Sequence, residues 1–439
     1  MTDGAHAGEE GGRRPKLAIM YLAPSPYYTN LVDRLVRELP GVELHVVYKH
    51  EQNIFPWTLE HDPRSHTKIF GPGETSTGKN EPGRRFAQWG RGGEMIDYFE
   101  QIDPDAIILS GYNDLGLMRL VRWAGRTRAK VALFGDSNVR SQKASGVKLV
   151  AKKRFVRWVL GCMDAVACCG SLGKAFFDSY APRPVPTFYI PYEPDYRVLM
   201  ELSAAEVAAA RERHGLDPAR RRLVFCGRFA PVKRVDLLVR AFVAIADERP
   251  DLDLVLIGDG ALRAELGAMV PERLRSRVIW TGFLDGTAAT SAVYRNCDVL
   301  VLPSNYEPWA LVVNEGIAAG LAVVATDVVG AAAELVRDGV NGFSVPAGDG
   351  DALTRALLDV TDPGKLDGYK AGSAGVLREW RERGDPVDGV RRLLEHFGVL
   401  EPASGTRPAG DPEADWKVDV ERGVNALATS AFDAPVRRS

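Results

Sequence analysis

Twice along this chain, short apolar runs alternate with amphipathic helical patterns, and that repetition restricts the fold more than any other property of the sequence. The first series places strands at Leu17–Leu22, Val42–Tyr48, Ala106–Leu109, Val131–Phe134, Ala165–Cys168 and Pro186–Ile190, with helical patterns such as Leu31–Leu39 and Leu115–Arg126 between them. Strands alternating with helices of this length form βαβ units and a parallel sheet. The Pro-rich stretch Pro191-Tyr192-Glu193-Pro194-Asp195-Tyr196 reads as a hinge, and a helix capped by Ser203 follows it. A second series then runs through Leu223–Cys226, Leu252–Ile257, Val278–Thr281, Val299–Leu302 and Ala322–Ala325. With 439 residues, 45 % of them hydrophobic, the chain has material for two cores. The expected class is α/β, with two doubly wound, Rossmann-like domains.

The expected divisions are a disordered tail over 1–16, a first domain over 17–192, a hinge over 193–218, a second domain over 219–383, a final helix over 384–398 and a disordered tail over 399–439. The last two helical patterns, Leu377–Arg381 and Val390–Phe397, are separated by Gly384-Asp385-Pro386. The segment from Asp62 to Gly93, crowded with Gly, Pro, Ser and Thr, reads as a long loop. No Gly-x-Gly-x-x-Gly follows the first strand, which argues against a bound dinucleotide.

A formal net charge of −2 gives no whole-chain attraction to nucleic acid, but the charge is uneven. Between Arg119 and Trp158 a dozen Lys and Arg face Asp136 alone. Within that region Val147–Leu160 is amphipathic and basic. It has two readings: a surface for an anionic membrane, or a helix packing Val147, Val150, Phe155 and Val159 inward with its cations in water. The five cysteines show no Cys-x-x-Cys pair, so reduced thiols in a cytoplasmic protein are expected, peripheral to the membrane's inner face if the basic helix binds it. No run is apolar enough to span a bilayer, and residues 1–16 lack the apolar stretch of a secretory signal.

The chemistry concentrates in Ser304-Asn305-Tyr306-Glu307-Pro308-Trp309-Ala310-Leu311-Val312-Val313-Asn314-Glu315. Two carboxylates eight residues apart flank a helix start that follows a buried strand, and Pro308 suits the first helical turn. A helix N-terminus attracts phosphate, and eight helical residues rise roughly 12 Å, about the span from sugar to ribose in a nucleoside diphosphate sugar. Arg228 and Lys233 follow a strand end and can reach one diphosphate, although taken alone they are two ordinary surface cations. Asp136 follows a strand at its carboxyl end, where open α/β sheets place ligands, and equally suits a loop cap. Tyr27, Tyr28 and Asn30 at another strand end offer stacking and hydroxyl-binding groups for an acceptor. Asp103-Pro104-Asp105 and Asp251-Leu252-Asp253 precede strands, at the edge away from such a cleft, so no metal site is expected there.

From about Arg221 to Ala352 the sequence resembles the retaining glycosyltransferases of family 4. The likeness lies in Gly227-Arg228-Phe229-Ala230-Pro231-Val232-Lys233-Arg234, Leu256-Ile257-Gly258-Asp259-Gly260, Gly282-Phe283-Leu284, the Glu307-x7-Glu315 signature with Gly320–Asp327, and Asn341-Gly342-Phe343 before Asp349. The resemblance implies the GT-B fold: two Rossmann-like domains facing a cleft, a donor domain at the C-terminal side, an acceptor domain at the N-terminal side, and a last helix crossing back. It implies that Arg228 and Lys233 neutralise the departing nucleoside diphosphate and that Glu315 accepts hydrogen bonds from the donor ribose. Glu307 would meet the transferred sugar as nucleophile, electrostatic stabiliser or hydroxyl anchor, and Phe283, Ala310 and Leu311 would contact the donor. The expected reaction moves a sugar to a hydroxyl acceptor such as a lipid-linked saccharide, exopolysaccharide or natural product, with no metal or other cofactor. A noncatalytic nucleotide-sugar-binding protein of the same fold, acting as a regulatory or scaffolding subunit, is the alternative, and a phosphorylase a third. Two positions depart from the family pattern: Ala310 stands where Gly is common, and Pro24–Thr29 replaces a Gly-Gly loop.

Overall fold

The computed structural model describes residues 13–53, 62–76, 85–141 and 146–402. Its first sheet is parallel and seven-stranded: β1 (Lys16–Tyr21), β2 (Glu43–Tyr48), β3 (His66–Ile69), β4 (Ala106–Ser110), β5 (Lys130–Gly135), β6 (Ala165–Cys168) and β7 (Thr187–Tyr189), ordered β3-β2-β1-β4-β5-β6-β7. The central strands are apolar on both faces because helices cover both. Leu17, Ile19 and Tyr21 share a core with Leu31, Val32 and Leu35 of α1 (Pro26–Glu38). Ala18 and Met20 face the opposite layer, built from α2 (Arg85–Ile102), α3 (Leu115–Ala124), α4 (Gly146–Gly161) and α5 (Ser171–Tyr180).

Two short helices, α6 (Tyr196–Met200) and α7 (Ala204–Arg213), lead into the second sheet, and Ser203 forms the expected capping box with Glu206 at the start of α7. This sheet holds six parallel strands: β8 (Arg221–Cys226), β9 (Leu252–Ile257), β10 (Val278–Gly282), β11 (Val299–Leu302), β12 (Ala322–Thr326) and β13 (Gly342–Val345), ordered β10-β9-β8-β11-β12-β13. Around them run α8 (Val235–Ile245), α9 (Arg263–Ala268), α10 (Thr287–Tyr294), α11 (Leu311–Ala318), α12 (Ala332–Leu335), α13 (Gly350–Val360) and α14 (Leu366–Gly384). Strand order reverses beside β1 and beside β8, so each sheet has a switch point where a ligand crevice forms at the strands' carboxyl ends.

After Gly384 the chain returns to the first sheet. Asp385 caps α15 (Pro386–His396) by accepting from the Val387 and Asp388 N–H groups, and Pro386 occupies the first turn. The helix lies so close to β7 that a Cβ at Gly389 would collide with the Tyr189 carbonyl. Arg34 of α1 pairs with both Glu193 and Asp385, binding hinge and return helix to the first domain.

Three expectations need correction. The segment from Asp62 to Gly93 is no uniform loop: it contains β3 and the first half of α2. β3 has a polar, edge-strand sequence, and Gly92 of α2 serves close packing, since a Cβ there would strike the Gly116 backbone of α3. The first tail ends earlier than residue 16, because Lys16 opens β1 and Arg13 hydrogen-bonds Asp103; residues 1–12 lie outside the described residues. At the other end Val399 and Leu400 pack against the core, and only 403–439 of the expected tail lies outside them.

Candidate active site

The residues singled out in the second domain gather at the carboxyl ends of its strands. Lys233 closes a 3-10 turn after β8, and its ammonium pairs with the Oε2 of Glu307. Ser304 Oγ donates to the same oxygen at 3.3 Å, and the Asn305 N–H donates to the Val232 carbonyl at 2.8 Å, so the loops after β8 and β11 are joined. Arg228 is exposed at the end of β8, and Phe283, 65 % exposed, stands just beyond β10. Leu311 and Glu315 lie half-buried on α11. Burial pushes the Glu315 carboxyl up to about 7, against a hydrogen bond from the Tyr294 hydroxyl at 3.4 Å.

The path from Glu307 to Glu315 differs from the expected helix. Glu307 forms an isolated bridge with Val329, and α11 begins only at Leu311, so Pro308 precedes the first turn and the helical rise applies to part of the span. The turn is made at Ala310, whose φ of 81° and ψ of 80° are left-handed. That conformation costs an L-residue about 1–2 kcal/mol and glycine almost nothing, which gives the family's preference for Gly a physical reason. No side chain caps α11, leaving its first N–H groups available to an anion.

Across the cleft, Asp136 ends the turn after β5. Its carboxyl is raised by burial and partly restrained by a hydrogen bond from Tyr192. A recess between the domains is lined by Asp136, Ser137 and Gly170 on one side and Pro308, Trp309 and Gly330 on the other. Tyr28 stacks on Tyr21 at 3.8 Å and shares a hydroxyl contact with Tyr192 at 3.3 Å, while Tyr27 lies 4.7 Å from the Tyr192 ring. Asn30 donates to the Pro194 carbonyl at 3.4 Å. These three residues hold α1 to the hinge, and Tyr27 also faces Asp136.

Sequence reasoning missed two residues that tie the domains together. Asn138, buried, donates to the carbonyls of Glu307 at 3.3 Å and Val328 at 2.7 Å, while its own oxygen accepts from the Arg140 and Ser141 N–H groups. Glu334, also buried, accepts from the Ser171 N–H at 2.6 Å and from Arg383 at 2.8 Å. The bonds from Asn138 to the second domain and from Ser171 to Glu334 cross from one domain to the other, and a linear sequence holds no signal of such a meeting.

Outside the cleft, α4 turns its Val156, Val159 and Leu160 inward. Val147 and Val150, expected to be buried, are 86 % and 58 % exposed, because the helix projects past the core at its N-terminal end. In the acidic pairs before strands, Asp105 is engaged by the Lys16 N–H and Asp253 by Arg220. The five cysteines are thiols, and among the described residues no helix is long and apolar enough to cross a membrane.

Two facing α/β domains, a cleft at the carboxyl ends of both sheets and a helix that crosses back define a protein of the GT-B architecture. In residues 220–362 it matches the model of the family described as "Glycosyl transferases group 1". It is 32 % identical over 217 residues to the lipopolysaccharide core biosynthesis mannosyltransferase LpcC of Rhizobium leguminosarum bv. viciae, covering 48 % of this chain and 58 % of that protein. The chain thus spans little more than half the length of that curated relative. The sucrose-phosphate synthase of Thermosynechococcus elongatus superposes with a TM-score of 0.68 at 20 % identity, covering 87 % of this chain and all of that one. HepE of Anabaena, solved in complex with UDP, superposes with a TM-score of 0.65 at 17 % identity, over 88 % of this chain and all of that one.

Proposed function

We propose that this chain is a retaining glycosyltransferase that moves a sugar from a nucleoside diphosphate sugar to a hydroxyl acceptor, without a metal at the reacting centre. The observation that carries the reading is the ion pair of Lys233 and Glu307 at the mouth of the second sheet, with Asp136 lining a recess beside Pro308 and Trp309 from the first. On this reading residues 219–383 bind the donor and residues 17–192 the acceptor. Arg228, Lys233 and the uncapped start of α11 receive the diphosphate, where their charge stabilises the leaving group as the glycosidic bond breaks. Glu315 accepts from the ribose hydroxyls, Phe283 meets the base, and Ala310 and Leu311 border the sugar beside Glu307. Asp136 and Tyr27 face the acceptor. UDP is the nucleotide bound to HepE of Anabaena, which puts UDP-sugars first in a donor panel.

The test is incubation of the purified chain with UDP-, GDP- and ADP-sugars, following slow donor hydrolysis and thermal shift. Hydrolysis of one donor, lost in Arg228→Ala and Lys233→Ala while the fold persists, is the expected result. Unchanged turnover in either variant overturns the assignment, and donor binding without hydrolysis or transfer indicates the noncatalytic alternative.

The basic end of α4 supports a peripheral contact with an anionic membrane at its cytoplasmic face. Exposed Val147 and Val150 sit among the exposed Lys148, Lys153, Arg154 and Arg157, whereas Lys152 lies over the Phe176 ring. Cosedimentation should rise with anionic lipid and fall with salt, and Lys148, Lys153, Arg154 and Arg157 replaced by Gln should abolish it without changing donor affinity. Equal, negligible binding to neutral and anionic liposomes would instead favour a soluble acceptor.

A further inference from the structure

At the amino-terminal edge of the first sheet, opposite the cleft, His45 of β2 and His66 of β3 are direct partners in the parallel register. Their rings lie 4.8 Å apart at 25°. Glu43, two residues before His45, points to the same face of the strand, and its Oε1 lies 2.8 Å from His45 Nε2. One ligand atom from each of the three residues falls within 4.8 Å of the others, the only such grouping among the described residues. We propose that Glu43, His45 and His66 form a binding site for a divalent transition-metal ion of the zinc class.

Two imidazoles and one carboxylate are a ligand set suited to Zn²⁺, and the exposed side of His66 leaves a fourth position for water. The orientation of His45 fits the role. Its Nδ1 lies 3.3 Å from the Tyr98 hydroxyl, and with that nitrogen donating to the hydroxyl oxygen the Nε2 lone pair, which faces Glu43 Oε1 at 2.8 Å, would turn to an ion seated between them; metal-bound histidines are oriented by this kind of second bond. Metal–ligand bonds of about 2.0–2.2 Å place tetrahedral ligand atoms roughly 3.4 Å apart, so Glu43 and His45 part slightly from 2.8 Å while His66 moves in by roughly an ångström, a movement within reach of its exposed side chain. Lys16 approaches Glu43 Oε1 to 3.8 Å and weakens the site by its charge, but its ammonium is also drawn aside by the Ile102 carbonyl at 3.0 Å.

The consequence concerns the sheet rather than the reaction. β3 is the outer strand, paired with β2 alone, and none of its four residues is buried. An ion held by His66 on one strand and by Glu43 and His45 on the other would fasten that edge. Because it binds the folded form, it would raise thermal stability.

The experiment titrates ZnCl₂ into the full chain, stripped with EDTA and dialysed, by calorimetry, together with thermal unfolding and the absorption spectrum of the Co²⁺ form. Saturable uptake of one equivalent is expected, with a rise in Tm reversed by EDTA and cobalt bands of nitrogen and oxygen ligation. His66→Ala, at an exposed position, should keep the metal-free Tm and lose this binding. Tyr98→Phe should weaken it roughly 10–100-fold. The proposal is overturned if no saturable equivalent binds, if His66→Ala takes up zinc as the unaltered chain does, or if the cobalt form shows thiolate charge-transfer bands.

Discussion

Glu334→Ala is expected to cost about 2–3 kcal/mol of stability. The magnitude comes from three losses at one carboxylate. The first residue before α5 is Gly170, which has no side chain to cap the helix, and Glu334 accepts the Ser171 N–H from the other domain instead. Losing a side-chain cap costs about 1 kcal/mol. The partner Arg383 is 45 % exposed and regains water when the carboxylate goes, so the broken ion pair adds no more than about 1 kcal/mol. The buried stem of Glu334 loses one methylene, since alanine keeps the Cβ, and at about 0.8 kcal/mol this supplies the remainder. Glu334→Gln keeps the shape and an acceptor for Ser171 and should cost about 1 kcal/mol. Urea unfolding followed by circular dichroism and by tryptophan fluorescence is the assay, since the rings of Trp309 and Trp380 lie near this contact, tilted at 38° with centroids 5.7 Å apart. Removing a contact between domains should also separate the two signals. A Glu334→Ala variant within about 0.5 kcal/mol of the parent, or a Gln variant as damaged as the Ala variant, would refute the reasoning.

Under the proposed function Glu315→Gln should weaken donor binding while Glu307→Gln mainly slows transfer, a division read from donor affinity and single-turnover rates and refuted by matching defects. The raised pKa of Glu315, about 7, means that its protonated form favours the folded state. That contribution is complete below the unfolded value of about 4.3 and is lost as pH rises through about 7. Burial also holds Glu193 at about 7, so both act in one window, and Tm measured between pH 5 and 8 should fall less steeply in Glu315→Gln than in the parent. Ala310→Gly should stabilise the chain by about 0.5–1 kcal/mol, because relief of a left-handed alanine outweighs the added freedom of glycine in the unfolded chain; a lowered Tm would contradict the conformation at that residue.

The strands that were legible were those whose apolar runs cross a sheet covered on both faces, such as Ala106–Ser110 and Val299–Leu302. β3 was not, because an edge strand of sequence His-Thr-Lys-Ile carries no apolar run. Helix α2 was hidden by Gly90, Gly92 and Gly93, which signal a loop locally, although Gly92 and Gly93 here permit contact with α3. Motif spacing singled out Lys233, Glu307 and Glu315, and the fold places each after a strand end or on the helix that follows. The turn at Ala310 was visible only as an unusual residue, and its left-handed backbone explains the departure. Asn138 and Glu334 had no sequence signal, since their partners lie 169 and 163 residues away.

The pairing of Lys233 with Glu307 makes the cleft its own first counter-ion. On the proposed reading, any diphosphate held by Lys233 must compete with Glu307 for the same ammonium. Arrival of the donor would then turn the carboxylate from a neutralised group into an unshared negative charge beside the sugar. A spent nucleoside diphosphate makes the same demand without a sugar to profit from it. Its departure lets the two side chains rejoin, so the ion pair acts as an internal rival to the product and helps to clear the cleft for the next donor.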